Sequence, residues 1–266
     1  MTGNAGKKSL DLYRRELGRV PESVWQDPGL EVLNLAENGL RSIPEEIGDL
    51  VHLTMLDLGH NKLVALPESL GRLRNLRFLY LSDNLLSALP PTLWELTSLR
   101  YLGITDNKLS SLPDDLGKLA NLVELRLYNN QLASLPVPIG QLENLRELHL
   151  MGNRLTSLPD SIGGLKNLRK LDLEGNRIEA LPEAIGDLQN LTDLDLRNNR
   201  VCLLPESIGE LRHLRFLDLR ANQLTELPAS LEGLQNLEKL DLRWNKSLQA
   251  PEWLGKLEQR GCLVYT

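Results

Sequence analysis

The sequence predicts an α/β solenoid, in which short parallel strands stack into a sheet along one wall and short helical or 3-10 turns form the other. Three features of the chain lead to this prediction. Asparagine recurs ten times at a constant spacing, at every twenty-third position from Asn38 to Asn245. Proline recurs in the same register from Pro21 to Pro251, and a pair of leucines two residues apart precedes most of the asparagines. A fixed period of this length is typical of repeat architectures, whose units bury their apolar faces by stacking.

The leucine pair of each repeat predicts a short β-strand. Residues two apart in a strand point to the same side, so both leucines face the core while the residues between and beside them face solvent. One coil cannot bury its leucines alone, and the coils must therefore stack. We expect the strands to form a parallel sheet on the concave face of a curved horseshoe.

The recurring asparagine follows each strand, where its amide can donate to and accept from backbone groups of the turn and the next coil. These residues predict a buried structural ladder: Asn38, Asn61, Asn84, Asn107, Asn130, Asn153, Asn176, Asn199, Asn222 and Asn245. The recurring proline fixes φ where the chain turns to the outer wall, and it suits the first turn of a short helix. A glycine usually follows in that turn, but Trp25, Trp94 and Glu232 replace it, so its position does not require a positive φ.

We expect one continuous domain with a cap at each end. Residues 1–29 are interpreted as an N-terminal tail and a capping half repeat, because Arg15 stands where asparagine is expected. Residues 30–259 contain ten repeats of equal length, and residues 260–266 are interpreted as a C-terminal capping strand. Such caps cover the end of the stacked core, which the last coil would otherwise expose.

Aligned on these columns, each unit reads LxxLxLxxNxLxxLPxxIGxLxN, as in LRKLDLEGNRIEALPEAIGDLQN at residues 168–190. This pattern resembles the leucine-rich repeat family over residues 10–259. The LPxxIGxLxNL signature is similar to that of Ras-group intracellular scaffolds, their plant relatives and bacterial leucine-rich repeat proteins, including delivered effectors. The resemblance implies protein binding, with any catalysis belonging to an attached domain. It carries over no functional residues, because binding positions differ among members.

Departures from the repeat cluster in the middle of the array. At positions where aspartate is the usual residue, or beside them, the strands carry Phe78, Tyr80, Tyr101, Arg126, Tyr128, His149 and Met151. Neighbouring strands lie about 4.8 Å apart, so these side chains form one exposed surface in the predicted solenoid. Aromatic residues with Arg and Met are typical of protein-binding hot spots. The competing interpretation is that cross-strand aromatic pairs only stabilise the sheet.

A charged stripe follows in the later repeats. Its members are Asp172, Asp195, Asp218, Asp241, Arg197, Arg220 and Arg243. Each arginine lies two residues after an aspartate on the same face, which favours a solvated surface whose charges neutralise each other. The alternative is a dock for a partner with the opposite charge pattern.

The composition argues against several other classes of protein. A net charge of -6 disfavours binding to nucleic acid or to an acidic membrane surface, and no segment approaches the roughly 20 apolar residues of a membrane span. His60 and His149 lie four coils apart, roughly 19 Å by strand spacing, so we expect no metal site. Cys202 and Cys262 do not make a disulfide framework, and no cofactor or catalytic motif is visible.

The sequence therefore predicts a monomeric, non-catalytic protein-interaction module, an adaptor or scaffold with an unidentified protein partner. With no apolar run near residue 1 to form a secretory signal, the expected location is cytoplasmic, and delivery into a host cell stays open. Three alternatives also stay open. The chain could be the recognition part of a larger enzyme or a delivered bacterial effector, a glycan or peptide receptor, or a consensus-like designed repeat protein, although the departures in mid-array count against design.

Overall fold

The structure is a computed structural model that describes residues 8–266 and contains two compact units, Met1–Leu109 and Ser110–Thr266. Residues 1–7, the start of the predicted N-terminal tail, lie outside the described residues. In the first unit, parallel strands pair in chain order with an offset of one repeat, so that Leu33 lies opposite Leu56 and Leu56 opposite Leu79. The strands are β1 (Ser9–Asp11), β2 (Val32–Asn34), β3 (Met55–Asp57), β4 (Phe78–Tyr80) and β5 (Tyr101–Gly103).

The second unit has the same construction. Its parallel strands are β6 (Glu124–Arg126), β7 (Glu147–His149), β8 (Lys170–Asp172), β9 (Asp193–Asp195), β10 (Phe216–Asp218), β11 (Lys239–Asp241) and β12 (Leu263–Tyr265). Each strand pairs with the next along the chain. Helix α1 (Leu254–Gln259) precedes β12, which pairs with β11 so that Leu263 lies opposite Lys239 and Tyr265 opposite Asp241.

Short 3-10 helices form the outer turns. They span Glu22–Val24, Glu45–Asp49, Glu68–Arg72 and Pro91–Glu95 in the first unit, and Asp114–Lys118, Val137–Gln141, Asp160–Gly164, Glu183–Asp187, Glu206–Glu210 and Ala229–Gly233 in the second. The recurring proline stands just before each helix in extended conformation, as at Pro182, whose carbonyl accepts the Ile185 N–H at 3.0 Å. Parallel strands joined through such turns confirm the predicted fold class.

The core is built from the leucines that flank each outward-facing strand residue. Leu171 and Leu173 are fully buried, as are their equivalents Leu194 and Leu196 to within 1%. Because the two leucines of a pair share one face of the strand, the residue between them must point the other way. The repeat therefore assigns the apolar residues to the core and leaves the opposite face of each strand free to vary.

The recurring asparagines are buried at the ends of the strands. Asn176 is 7% exposed, and its Nδ2 donates to the carbonyls of Leu173, in its own coil, and Leu150, in the preceding one, both at 3.0 Å. Its Oδ1 accepts the Leu155 N–H at 3.0 Å. One amide thus closes its own turn and also holds the preceding coil, so the side chain satisfies buried backbone groups that have no strand partner.

The residue before each of these asparagines has a positive φ. The column reads Glu37, His60, Asp83, Asp106, Asn129, Gly152, Gly175, Asn198, Ala221 and Trp244, with φ between 53° and 68°. This left-handed residue turns the chain so that the preceding carbonyls point toward the asparagine amide. Glycine, asparagine and aspartate suit the conformation, whereas a bulky side chain is strained there.

The glycines of the outer turns are required for a different reason, namely close packing. Gly186 does not have a positive φ, but a Cβ added to it would lie 2.6 Å from the Ser207 carbonyl oxygen and 2.8 Å from the Ser207 Cβ. The next coil therefore approaches this residue too closely to admit a side chain. By contrast, a Cβ on Gly233 would meet nothing within 4 Å.

We expect Asn176→Ala to destabilise the fold more than Asn167→Ala. The first change leaves several buried backbone groups unpaired, at about 1–3 kcal/mol for each group. Asn167 is exposed and makes one hydrogen bond, from Nδ2 to the Glu143 carbonyl at 2.8 Å, so its loss should cost below about 1 kcal/mol. Urea unfolding followed by circular dichroism measures both changes, and equal losses of stability would contradict the ladder's role.

A second comparison tests the packing of the outer turns. Gly186→Ala should lower the free energy of unfolding by about 1–3 kcal/mol, because the added methyl overpacks the contact with Ser207. Gly233→Ala should be neutral or stabilising by up to about 1 kcal/mol, since it reduces the freedom of the unfolded chain without a clash. If denaturation midpoints fall equally for the two variants, loss of glycine flexibility rather than overpacking is the cause.

Candidate functional site

The outward-facing residues of the sheets form the candidate site. In β4, Phe78 and Tyr80 stand on either side of Leu79, and their strand partners in β5 are Tyr101 and Gly103. The two tyrosine rings lie 4.6 Å apart between centroids at an angle of 34°, and Phe78 is 39% exposed. We call Phe78, Tyr80 and Tyr101 the first-unit aromatic group. The two rings are tilted, and their separation lies within the range at which aromatic side chains attract each other.

Gly103 is what allows the Tyr101 ring to lie along the sheet. A Cβ on Gly103 would be 2.8 Å from the Tyr101 hydroxyl oxygen and 3.0 Å from a ring carbon. The absence of a side chain at this column, where aspartate is usual, therefore provides the space that the ring occupies. The glycine at position 103 and the tyrosine at position 101, both departures from the repeat, thus depend on each other.

In the second unit, the structure places the predicted contact residues at different depths. We call Arg126, Tyr128, His149 and Met151 the second-unit group. Tyr128, Met151 and Arg126 are partly exposed, whereas His149 is only 8% exposed.

The His149 ring lies between two carboxylates. Its Nε2 is 3.1 Å from a Glu147 oxygen, and its Nδ1 is 3.8 Å from a carboxylate oxygen of Asp172 on the next strand. His149 therefore connects two strands as well as contributing to the surface. This explains how a histidine is accommodated in a column where aspartate is usual.

Two groups of side chains bring together atoms of the kind that bind metals. They are Glu124, Glu147 and His149, and Asp172, Glu174 and Asp195, with the ligand-type atoms of each group within 4.8 Å of one another. The spacing of the histidines in the sequence does not reveal either of these two groups.

In each metal-like group, an arginine pairs with the carboxylates. Arg126 Nε donates to Glu124 at 2.5 Å, and Arg197 lies 2.7 Å from both Glu174 and Asp195. A guanidinium thus supplies the positive charge that these carboxylates attract, and we read both groups as ion-pair networks.

The predicted charged stripe is internally paired. Arg197 donates from Nε to Asp195 at 2.9 Å, Arg220 to Asp218 at 2.9 Å, and Arg243 to Asp241 at 2.9 Å. Contacts also run between strands, since Arg220 Nε lies 3.5 Å from the Asp241 carboxylate. The Asp241 side chain is completely buried beneath these cations. On this part of the sheet face, the arginine side chains are therefore closer to solvent than the aspartates with which they pair.

Two aspartates of the sheet face, Asp57 and Asp241, have pKa values shifted in opposite directions. Burial pushes the pKa of the Asp241 carboxyl upward, but hydrogen bonds from Arg243 and the charges of Arg220 and Arg243 leave it below its usual value. Burial likewise raises the pKa of the Asp57 carboxyl, and Asp11 adds to the effect. The Gly59 N–H and His60 lower it only in part, so the pKa of Asp57 stays above its usual value. The balance between burial and the hydrogen bonds and cations around each carboxylate thus decides whether its ionised form is favoured on this face.

A shallow pocket of about 230 Å³ opens on the second unit's sheet face. Its lining includes Phe216, Lys170, Lys239 and Asp193. The sequence did not reveal this pocket because Phe216 stands between Asp193 and Lys239 in its column, far along the array from Phe78, the other phenylalanine of the chain. A phenylalanine at an outward-facing position indicates a binding surface, but whether a pocket forms there depends on the orientation of the neighbouring side chains.

Elsewhere, the described residues show few features of a catalytic site. The cysteines are free, with Cys202 exposed and Cys262 buried, and burial raises the pKa of the Cys262 thiol. A raised pKa keeps a thiol protonated and poorly nucleophilic. Among residues 8–266, no helix combines the length and the apolar character needed to span a membrane.

Comparison with protein families identifies the repeat. A family model described as "Leucine-rich repeat region" matches residues 90–174 and 190–264. The models "Leucine rich repeat" and "Leucine Rich repeats (2 copies)" match residues 8–63 and 28–86, and residues 166–213, respectively. A comparison with curated protein sequences gave no match.

Solved structures with the same repeat resemble the chain over most of its length. A leucine-rich repeat protein of Leptospira interrogans is 27% identical, with 97% of this chain and 95% of that one covered and a TM-score of 0.52. A TDR receptor is 32% identical, with 94% and 45% covered and a TM-score of 0.85. The ectodomain of the Arabidopsis thaliana receptor kinase GASSHO1/SCHENGEN3, in complex with CASPARIAN STRIP INTEGRITY FACTOR 2, is 31% identical, with 92% and 33% covered and a TM-score of 0.77. The chain thus spans less than half of either receptor structure.

Opposite effects are expected from the same substitution at two aspartates. Asp57→Asn should raise stability at pH 7 by less than about 1 kcal/mol, because it removes a carboxylate whose raised pKa opposes ionisation in the folded state. Asparagine suits this column, since Asn34 Oδ1 accepts the Ala36 N–H at 3.0 Å just as Asp57 accepts the Gly59 N–H at 2.8 Å. Asp241→Asn should lower stability at pH 7 by about 1–3 kcal/mol, because the arginines lose their partner.

The stability differences between these two variants and wild type should depend on pH. The stabilisation from Asp241, whose pKa is lowered in the fold, is present above the unfolded pKa of about 3.9 and is lost as the pH falls through the folded value. The penalty from Asp57 develops as the pH rises above about 3.9. Unfolding curves from pH 3 to pH 7 should show both differences from wild type shrinking at the acidic end; differences independent of pH would contradict an electrostatic origin.

Proposed function

Because the chain belongs to the leucine-rich repeat family, we propose that it is a non-catalytic protein-interaction module, an adaptor or scaffold that binds a protein partner on the exposed face of its sheets. It acts as a monomer in the cytoplasm. Its repeats are of the type found in Ras-group intracellular scaffolds, their plant relatives and bacterial leucine-rich repeat proteins.

The observation that carries this proposal is the first-unit aromatic group. Phe78 is exposed beside the contacting rings of Tyr80 and Tyr101, on a sheet face where polar residues are usual. Large aromatic side chains that are held in one orientation lose little entropy when a partner binds. They are also the residue types that contribute most to binding energy in protein interfaces.

The second-unit group supports the same role with different chemistry. Tyr128 and Met151 are partly exposed, and Arg126 is held by Glu124. His149 has little exposed surface and acts mainly by connecting Glu147 and Asp172, so we assign it a positioning role. Met and Arg with an aromatic residue are enriched in interfaces relative to the rest of the surface.

A relative provides a precedent for partner binding by this fold. The GASSHO1/SCHENGEN3 ectodomain was solved in complex with CASPARIAN STRIP INTEGRITY FACTOR 2, and this chain is 31% identical to it. The precedent supports a binding role, and it does not identify the partner of this chain. The partner must be found by experiment.

Affinity capture with separate variants of the two groups tests the proposal. Wild type should retain a specific protein from a lysate of the source cell. Tyr80→Ala/Tyr101→Ala or Arg126→Glu/Met151→Asp should reduce its binding at least about tenfold, because hot-spot side chains contribute more than about 1.4 kcal/mol. Val64→Ala and Val137→Ala serve as controls, because both side chains are more than 60% exposed but lie outside the strands.

The result is interpreted on folded protein only, so each variant is first compared with wild type by circular dichroism and thermal unfolding. If both group variants retain the same proteins as wild type, neither group is part of the contact surface. If one variant loses the partner and the other keeps it, the contact lies in the unit that was changed.

A further inference from the structure

Trp244 is the residue that departs furthest from the backbone requirements of its column. Its φ is 67°, the left-handed conformation that in other coils of the second unit is taken by residues such as Gly152, Gly175 and Asn198. A tryptophan is strained in this conformation, because its Cβ crowds the backbone. Strain of this kind persists where the side chain has a role that outweighs it, and such sites are often functional.

Burial does not account for the choice of tryptophan. The Trp244 side chain is 66% exposed, so it gains little from the core. Instead it lies among cations and a second aromatic ring. The Arg243 guanidinium carbon is 5.7 Å from the centre of the Trp244 ring and 5.0 Å from that of Tyr265. Arg220 lies 6.0 Å from the Trp244 ring, and Lys239 Nζ lies 5.4 Å from the Tyr265 ring. We call Arg220, Lys239, Arg243, Trp244 and Tyr265 the basic-aromatic surface.

The Asp241 carboxylate at this surface is buried, whereas Arg243 and Lys239 are partly exposed. Asp241 contacts Arg220, Lys239 and Arg243 at 2.7 to 3.6 Å, and its carboxylate is completely buried. The Arg243 and Lys239 side chains are 39% and 36% exposed. Arg220 also pairs with Asp218 at 2.6 Å, so three cations face two carboxylates. Solvent therefore meets mainly Arg243, Lys239 and the two rings, while Asp241 lies below them. A chain with a net charge of -6 thus presents a local positive surface.

The buried carboxylate also fixes the cations in place. Arg243 donates to Asp241 from both Nε and a terminal nitrogen, at 2.9 and 2.7 Å, which restrains the guanidinium between the two aromatic rings. Its other N–H groups remain available as donors in a known direction. A ligand that brings a carboxylate to this surface finds donors already oriented, so less entropy is lost on binding.

We propose that the basic-aromatic surface docks an acidic peptide segment of a partner protein. Carboxylates of the segment pair with Arg243 and Lys239, and an apolar side chain packs on the exposed Trp244 ring. The inference rests on the proposed protein-binding role, but it uses none of the residues of the first-unit aromatic group or the second-unit group.

An anionic membrane surface is the other ligand that attracts arginine, lysine, tryptophan and tyrosine. The neighbouring part of the sheet face argues against it. Three acids lie on the same face, two to three strands from β11: Glu174, Asp193 and Asp195. An anionic bilayer wide enough to cover the basic-aromatic surface and these strands would meet their carboxylates. A narrow peptide can contact the cations and avoid the acids, which favours the peptide.

Binding to an array of random peptides about a dozen residues long tests the proposal. Labelled wild-type protein should enrich peptides rich in Asp and Glu that also carry an apolar residue, and matched peptides with Lys in place of the acids should not bind. Trp244→Gly should weaken binding to the selected peptides at least tenfold. Glycine is native at this column in Gly152 and Gly175, so the substitution relieves strain and should keep or raise the unfolding temperature. Lys239→Ala should weaken binding too, whereas the exposed outer-turn control Lys166→Ala should not.

Three results would overturn the proposal: no acidic enrichment by wild type, unchanged enrichment with Trp244→Gly, or preferential binding to phosphatidylserine vesicles that Trp244→Gly abolishes. The variant Arg126→Glu/Met151→Asp is screened in parallel. If it loses captured partners while Trp244→Gly keeps them, the proposed protein-binding role stands and the basic-aromatic surface is not the site. If Tyr80→Ala/Tyr101→Ala, Arg126→Glu/Met151→Asp and Trp244→Gly all keep every partner, the two proposals fail together.

Discussion

The buried asparagine at the end of each strand is the contact on which the rest of the structure depends. Its amide closes the turn of its own coil and joins the backbone of the coil before it, as Asn176 does with Leu173 and Leu150. These bonds must form at the same place in every repeat, because the backbone groups they satisfy are buried. The constant length of the repeat, the parallel register of the strands and the left-handed residue before each asparagine all follow from this requirement.

Because the leucines and asparagines carry the fold, the outward-facing strand residues can change without loss of the core. The structure shows how such changes compensate one another. Gly103 provides room for the ring of Tyr101, and His149 fits between Glu147 and Asp172. Each is a local solution between adjacent strands, where side chains in register lie close enough to interact directly. The exposed face of each unit therefore carries small local clusters rather than one uniform surface.

Electrostatics separates these clusters further. At Asp241, hydrogen bonds from Arg243 and the charges of Arg220 and Arg243 lower the pKa and favour the charged carboxylate. At Asp57, burial raises the pKa and makes the charged form unfavourable. The same residue type in the same column can thus stabilise or destabilise the fold. Pairing also determines which charge faces solvent, and at Asp241 the cations face outward. Net charge alone predicts the opposite sign for that surface.

The sequence by itself determined the fold class, the strand positions and the columns of the sheet face, since a repeat of constant length constrains every coil equally and periodicity shows which side chains share a face. It also predicted which residues break the pattern. Only the tertiary structure decided what those departures do. The depth of His149, the space beside Gly103, the pocket at Phe216 and the strained, exposed Trp244 depend on side chains from adjacent coils and on backbone angles. The residue types at equivalent repeat positions do not show which side chains of adjacent coils meet or which backbone angles they adopt. Burial and pairing arise only when neighbouring coils are packed together.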